Sequence, residues 1–366
     1  MEIIVPGRTE LAGNHTDHQG GHVLAAAVDL LIRGSVTPIT AEQVHLRSAG
    51  FGELSIDLSA LGAEHSHPGT GEALVRGVLE YLHREGWEIH GFSGELCSDI
   101  PAGAGLSSSA AFSIWVGKTI STLFNDGSIP PMTLALAARY AENQHFGKPC
   151  GLMDQCACAF GGVTAMSFHG KIPEVRSIRV DPASLGYVLC VVQTGGNHRD
   201  LTEDYALITR EMGEAAACFG EKRLSDVSEA AFRSAIPEIR RKTGDRAILR
   251  ALHYFDEDKR AVEMAEALVR GNMSAYLAGM DASGRSSAEL LQNSFSPSEP
   301  RTQGISLALT LSRQFLAGSG AARVHGGGFA GTIQALMPED MFQRYRQQME
   351  TVFGRGCCMR LGIVNS

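Results

Sequence analysis

The sequence predicts an α+β protein built of two domains, and three observations predict it. Strand-like and helix-like segments are intermixed without the regular strand–helix–strand rhythm of a doubly wound parallel sheet. The chain has 366 residues, more than one domain usually holds. Pro173 and Pro182 bracket a polar connection near 170–185, which sets domains of 1–175 and 176–366, with the option that the last strand returns to the first domain.

The elements follow in order. Residues 3–5 and 22–37 read as strands on either side of a polar, Gly-rich turn. Residues 70–84 read as a helix, because Ala73, Leu74, Gly77, Val78 and Tyr81 fall on one face. A strand at 89–97 (Ile89, Phe92, Leu96) leads to a Gly/Ser-rich turn at 101–109 that opens a helix over 110–123. Helices at 132–146 and 151–160 and strands at 162–168 and 187–193 complete the first half. The second half reads as helices at 202–219, 246–256, 258–277 and 302–317, strands at 321–325 and 332–337, a helix at 339–353 and a strand near 357–364.

The chain is 44% hydrophobic and 20% charged, so it can bury a large core without disulfides or structural metals. A net charge of −8 argues against nucleic-acid or anionic-membrane partners, though not against a local basic site for phosphates. The start has no basic leader region, and the longest apolar stretch, 23–32, is broken by Asp29 and too short to span a bilayer. Cys156-x-Cys158 and Cys357-Cys358 lack zinc-ribbon spacing, so all eight cysteines are expected as reduced thiols in a cytoplasmic protein.

Three clusters carry chemistry. The first is Gly103-Ala104-Gly105-Leu106-Ser107-Ser108-Ser109 ahead of a helix. Small residues let a backbone approach a phosphate, and the helix start offers free N–H groups and a positive dipole end. The same residues also suit a plain strand-to-helix turn with a serine cap. Two other glycine motifs are decoys. Gly117-Lys118-Thr119 has Phe112 where a P-loop needs its first glycine, and Gly326–Gly331 precedes a strand where a dinucleotide fingerprint must open a helix.

The second cluster is the polar run from Arg8 to Gly21. Asp17 there can accept two sugar hydroxyls, a metal set of His15, Asp17 and His18 is an alternative, and a solvated loop is the plain one. In the third cluster Asp154 sits among apolar residues at a helix start, as a general base or as a charge favoured by the dipole. Glu142 ends the helix before it and could serve magnesium. Trp87 and Trp115 are candidates for an adenine pocket or for the core.

In sequence order, Pro6-Gly7-Arg8 through His15-Thr16-Asp17 to Gly20-Gly21, Pro101 to Ala111, Gly151 to Gln155, and Gly326 to Gly331 resemble the galactokinases, a branch of the GHMP small-molecule kinases. A weaker match runs from Asn197-His198 through Leu201 and Tyr205 to Arg210-Glu211. The resemblance implies the two-domain GHMP kinase fold: a ribosomal-protein-S5-domain-2-like N-terminal domain and a ferredoxin-like C-terminal one, with the active site between them. It implies ATP and Mg2+ as cofactors, a small sugar as partner, phosphorylation of the C1 hydroxyl, and a monomer or weak homodimer. By resemblance Arg8 and Asp154 are the catalytic pair, and Gly103, Ala104, Gly105, Leu106, Ser107, Ser108 and Ser109 hold ATP. Ser109 and Glu142 hold magnesium, and Asn14, His15, Asp17, Gly151, Asp154 and Tyr205 meet the sugar.

The sequence departs from the family in the sugar motif, where Asp17-His18-Gln19 replaces the usual Asp-Tyr-Asn. Asn14 stands where galactokinases carry a glutamate that faces the C6 end of the sugar. A neutral amide there brings an NH₂ donor, which suits a C6 carboxylate, and His15-x-Asp17-His18-Gln19-Gly20-Gly21 also resembles plant galacturonokinases. Galactose is the expected substrate and galacturonic acid the alternative, while nothing signals an acetamido pocket for N-acetylgalactosamine. A non-catalytic sugar sensor is a third reading, opposed by the intact serine loop and catalytic pair. The segment 284–304 departs from the family without a sequence-level explanation.

Overall fold

The computed structural model describes residues 1–48, 52–101, 105–195 and 201–364. Strand β1 (Glu2–Ala12) pairs antiparallel with the long β2 (His22–Pro38). β1 runs well past the three residues expected, because Arg8, Thr9 and Glu10 are buried polar residues that break the apolar alternation without breaking the strand. Register shifts beside Pro6 and before Ala12 absorb the missing proline N–H and bend the strand.

The first sheet has seven strands in the order β4-β3-β5-β2-β6-β7, with β1 on β2. The additional members are β3 (Gln43–Ser48), β4 (Gly52–Asp57), β5 (Phe92–Ser98), β6 (Val163–Ser167) and β7 (Glu174–Ile178). Only β3 and β5 pair in parallel. β3, β4 and β7 escape sequence reading because they are short and rich in polar residues, β4 and β7 are largely exposed at the sheet edges, and β7 lies in what reads as a polar connection.

Four helices share one core with this sheet: α1 (Gly71–Arg84), α2 (Ser108–Phe124), α3 (Pro131–Tyr140) and α4 (Met153–Phe160). The Thr70 hydroxyl caps α1 by accepting the Ala73 N–H at 3.2 Å. α3 continues into a wide helical turn, Ala141–Phe146, that carries Glu142. Trp115 is fully buried and donates to the Ile3 carbonyl at 3.0 Å, so it belongs to the core.

The second sheet is antiparallel, in the order β11-β8-β10-β9: β8 (Tyr187–Gln193), β9 (Ala321–Val324), β10 (Thr332–Pro338) and β11 (Cys358–Leu361). It packs against α9 (Gly304–Leu316) and α10 (Phe342–Phe353) through Val188, Val192, Ile305, Ile333 and Tyr345. Between β8 and α9 stand α5 (Thr202–Ala217), α6 (Glu229–Thr243), α7 (Asp245–Val269) and α8 (Met273–Ser286). α7 is continuous where two helices were expected, and α6 went unread because Pro237 lies inside it.

Ala261, Met264, Leu268, Tyr276 and Met280 of α7 and α8 enter the first core, so the helical layer grips the first sheet. The chain end also returns to that sheet. Ile363 bridges Val28, and the Gly362 N–H donates to Asp29 Oδ1 at 2.8 Å. Gly117–Thr119 lies inside α2 and Gly326–Gly331 precedes β10, as both decoy arguments required. All eight cysteines carry free thiols, and no described helix is long and apolar enough to cross a membrane.

Candidate active site

Arg8 reaches from β1 to the first turn of α4. Its Nε donates to Asp154 Oδ1 at 2.7 Å and its Nη1 to the Gly105 carbonyl at 2.5 Å. The Ser107 hydroxyl donates to the other oxygen, Asp154 Oδ2. Ser107 holds a left-handed backbone (φ 56°) one residue before α2, a conformation that non-glycine residues adopt where the surroundings enforce it. Burial by itself would lift the Asp154 pKa, but the Arg8 charge and the bonds from Arg8 and Ser107 override it and hold the carboxylate below its ordinary range. Burial likewise opposes the charge on Arg8, and Asp154 reverses the balance, so the guanidinium stays protonated.

α2 starts at the loop that carries these groups, and the N–H groups of its first turn lack helical partners. Such a start favours an anion. Within that turn Ser109 Oγ donates to Glu142 Oε1 at 2.7 Å. Glu142 is buried, with Lys148 Nζ 4.0 Å from its second oxygen. One hydroxyl and one carboxylate are hard oxygen donors, which fits Mg2+, an ion that takes one or two protein carboxylates and fills its octahedron with phosphate oxygens and water. No group of three or more His, Cys, Asp or Glu with metal-holding geometry exists among the described residues, so the set of His15, Asp17 and His18 does not form one. Leu106 is buried beneath the loop, where its carbonyl accepts the Arg8 N–H at 3.3 Å. Gly103 and Ala104 lie outside the described residues, as do Asn197 and His198.

Asp17 and Gly151 meet face to face. A Cβ on Gly151 would stand 2.4 Å from Asp17 Oδ2, so the carboxylate lies across the glycine, three residues before Asp154. Burial lifts the Asp17 pKa to about 6, and the charges of Glu10 and Asp154 add to the lift. His15 and His18 form an edge-to-face pair with centroids 5.6 Å apart. Burial lowers their pKa values to about 4 and about 3, which keeps both rings neutral.

Asn14, His15 and Tyr205, expected at the sugar, each bond the glycine turn. Asn14 Nδ2 donates to the Gly326 carbonyl at 2.7 Å, His15 Nε2 to Gly327 at 3.0 Å and the Tyr205 hydroxyl to Gly328 at 3.0 Å. The second N–H of Asn14 points to Glu10 Oε1 at 3.2 Å, and its Oδ1 accepts from Asn293 at 2.9 Å. The amide expected to face the C6 end of a sugar is therefore committed to the protein.

Several site-shaping residues were not singled out in the sequence. Glu10 pairs with Arg323 of β9 at 2.5 Å. Thr9 Oγ1 bonds His325 Nε2 at 3.0 Å and accepts from Gln334 Nε2 at 2.6 Å. Glu257 of α7 accepts the Gly13 N–H at 3.2 Å, and His253 bonds the Asn14 carbonyl at 2.9 Å. Glu257 lies in the charged run Asp256–Arg260 and Glu10 in the polar run from Arg8, so neither stands out as an interior residue.

Comparison with known proteins fits this geometry. Residues 73–162, from α1 through α4, match the GHMP kinases N terminal domain. Residues 3–38, the β1–loop–β2 unit, match the galactokinase galactose-binding signature. Among solved structures, Lactococcus lactis galactokinase complexed with galactose superposes with a TM-score of 0.83 at 23% identity, over 100% of this chain and 93% of that one. Mevalonate kinase from Methanococcus jannaschii gives 0.68 at 16% identity, over 100% and 98%. A D-glycero-D-manno-heptose 1-phosphate kinase from Bacteriodes thetaiotaomicron gives 0.64 at 16%, over 100% and 96%. The matched domain and the fold agree: residues 73–162 resemble the GHMP kinase N-terminal domain, and the whole chain has the fold shared by these kinases. Residues 3–38 add to that fold a match to the galactokinase galactose-binding signature, over β1 and β2.

Proposed function

We propose that the chain transfers the γ-phosphoryl group of ATP to the C1 hydroxyl of galactose. The observation that carries the reading is Asp154, ionised against Arg8 and Ser107, at the mouth of a helix start built for an anion. Phosphoryl transfer through a loose transition state asks mainly for positioning and charge neutralisation. Asp154, held below the ordinary carboxylate range, is a weak base. It orients the acceptor O–H and takes its proton late, once bonding to phosphorus has made that hydroxyl acidic. Arg8, permanently charged, faces the negative charge that spreads over the transferring group.

The Gly105–Ser109 loop and the α2 start cradle the phosphates. Ser109 and Glu142 would hold Mg2+, which supplies charge neutralisation between the β- and γ-phosphates when bound. Asp17, lying across Gly151, accepts vicinal sugar hydroxyls. The galacturonate alternative rests on the Asn14 NH₂ donor and on the run His15-x-Asp17-His18-Gln19-Gly20-Gly21, and the protein acceptors of both Asn14 N–H groups speak against the first of these. The test is ADP release with ATP, magnesium and a panel of galactose, galacturonate and N-acetylgalactosamine. Turnover of galactose is expected to dominate, and turnover of galacturonate without galactose would overturn the reading.

A further inference from the structure

The glycine turn presents three successive carbonyls, and each meets a side chain from elsewhere in the chain. Gly326 O accepts from Asn14, Gly327 O from His15 and from Asn293 Nδ2 at 3.0 Å, and Gly328 O from Tyr205. Glycine is required for this approach: a Cβ on Gly327 would fall 2.4 Å from the Tyr205 ring, and one on Gly328 would fall 2.3 Å from the Asn293 carbonyl. Asn293 lies in the divergent segment 284–304, is 0% exposed, and uses Nδ2 for both the Asn14 oxygen and the Gly327 carbonyl. Asn14, 1% exposed, then has its remaining N–H groups on Gly326 O and Glu10.

The two amides are matched. A carboxylate at 14 would stand beside Glu10 and leave Gly326 O without its donor, and a carboxylate at 293 would face two acceptors. We propose that Asn293 is a positioning residue: it locks Asn14 onto the Gly326–Gly328 turn, so that position 14 fixes the sugar loop and does not read the C6 end of the substrate. This rests on the galactokinase reading above, and it accounts for segment 284–304 and for Asn14 with one contact.

The test uses the sugar as a second mutation. Steady-state constants are measured for Asn14→Ala, Asn293→Ala and Asn293→Asp with galactose. 6-Deoxygalactose is scored as a substrate or, if turnover is slow, by its inhibition constant against galactose. Asn293→Asp is expected to raise KM and inhibition constant by the same factor, roughly 10–100-fold for lost buried hydrogen bonds. The KM for ATP should stay within about twofold, whereas a loss of folded enzyme would lower kcat alone. Asn14→Ala should likewise weaken both sugars equally. If it weakens galactose and spares 6-deoxygalactose, Asn14 reads the C6 hydroxyl and the proposal fails. An unchanged sugar KM in Asn293→Asp sinks it too. A wild-type enzyme inactive on galactose would remove the galactokinase reading alone. The clasp is then decided by melting of the two alanine variants and their double: a double shift smaller than the sum supports it, and additive shifts refute it.

Discussion

Two ion pairs leave β1 two residues apart, and they are built for different ends. Arg8 meets Asp154 with side chains 7% and 27% exposed, whereas Arg323 meets Glu10 at 0% and 5%. The open pair keeps its acid: the Asp154 pKa is driven down. In the sealed pair burial outweighs the Arg323 charge, and the Glu10 pKa is driven up. A carboxylate that must trade a proton with substrate needs access and a steady charge, while one that fastens a loop needs only to be enclosed with its partner. The strand thus sets an accessible pair and a sealed pair within one side-chain repeat.

The largest predicted effect falls on the sealed pair. Arg323→Ala leaves Glu10 buried without its cation, so the denaturant midpoint should fall by an amount corresponding to ~3–5 kcal/mol. Replacing both partners by leucine and methionine should recover much of that loss, because a buried pair contributes little over a well-packed apolar pair. A single variant with wild-type stability would break the contrast between the two pairs.

Next comes the open pair. Asp154→Asn keeps an oxygen for Arg8 but cannot take a proton, so turnover should drop by at least ~10²-fold. Its stability loss should be the smaller of the two, since solvent reaches the site. Near-normal turnover would remove Asp154 from its proposed role. A third expectation concerns the floor of the proposed sugar site. Gly151→Ala places a methyl 2.4 Å from Asp17 Oδ2. The carboxylate must swing away, and the sugar KM should rise about tenfold, ~1.4 kcal/mol, at constant ATP KM.

The same contrast explains what the sequence made legible. Arg8, Ser107, Ser109, Glu142 and Asp154 stand where local chemistry is unusual: small residues before a helix, and an acid at an apolar helix start. The pairing of Arg8 with Asp154 and of Ser109 with Glu142 came from the family resemblance, and these side chains lie 2.7 Å apart in each pair. Arg323, Glu257, His253 and Asn293 carry no such local mark. Each looks like an ordinary polar residue of a helix, strand or loop, and only the three-dimensional path of β1 brings them to Glu10 and Asn14. β3, β4 and β7 were missed because each is five or six residues long and rich in polar side chains, so the short apolar alternation of Val44 and Leu46 in β3 carries little signal. Asn14 is the instructive case: its identity was noticed, but not its hydrogen bond with Asn293, 279 residues away.

The smallest effect is a pH dependence in which the buried acid and the buried rings pull in opposite directions. Asp17 has its pKa raised from 3.8 to about 6, chiefly by burial. A carboxyl whose folded pKa lies above its unfolded value favours the folded state while protonated, so its contribution is complete below pH 3.8 and is lost as pH rises through about 6. His15, His18 and His325 behave the other way: burial lowers them from 6.5 to about 4, 3 and 3. Their contribution is complete above pH 6.5 and is lost as pH falls toward those values. Acidifying from neutrality should therefore lower total stability, with Asp17 partly offsetting the three rings. Asp17→Asn isolates the offset. Its stability relative to wild type should increase as pH rises from 4 to 7 and level off above, because only the wild type must then bury a charge. Sugar binding should show the complementary signature, with KM climbing below pH about 6 as the acceptor carboxylate is protonated while the ATP KM holds. A stability difference flat across that range would mean that Asp17 is solvated in the empty site, and the division between an accessible catalytic acid and enclosed supporting groups would then have to be redrawn around it.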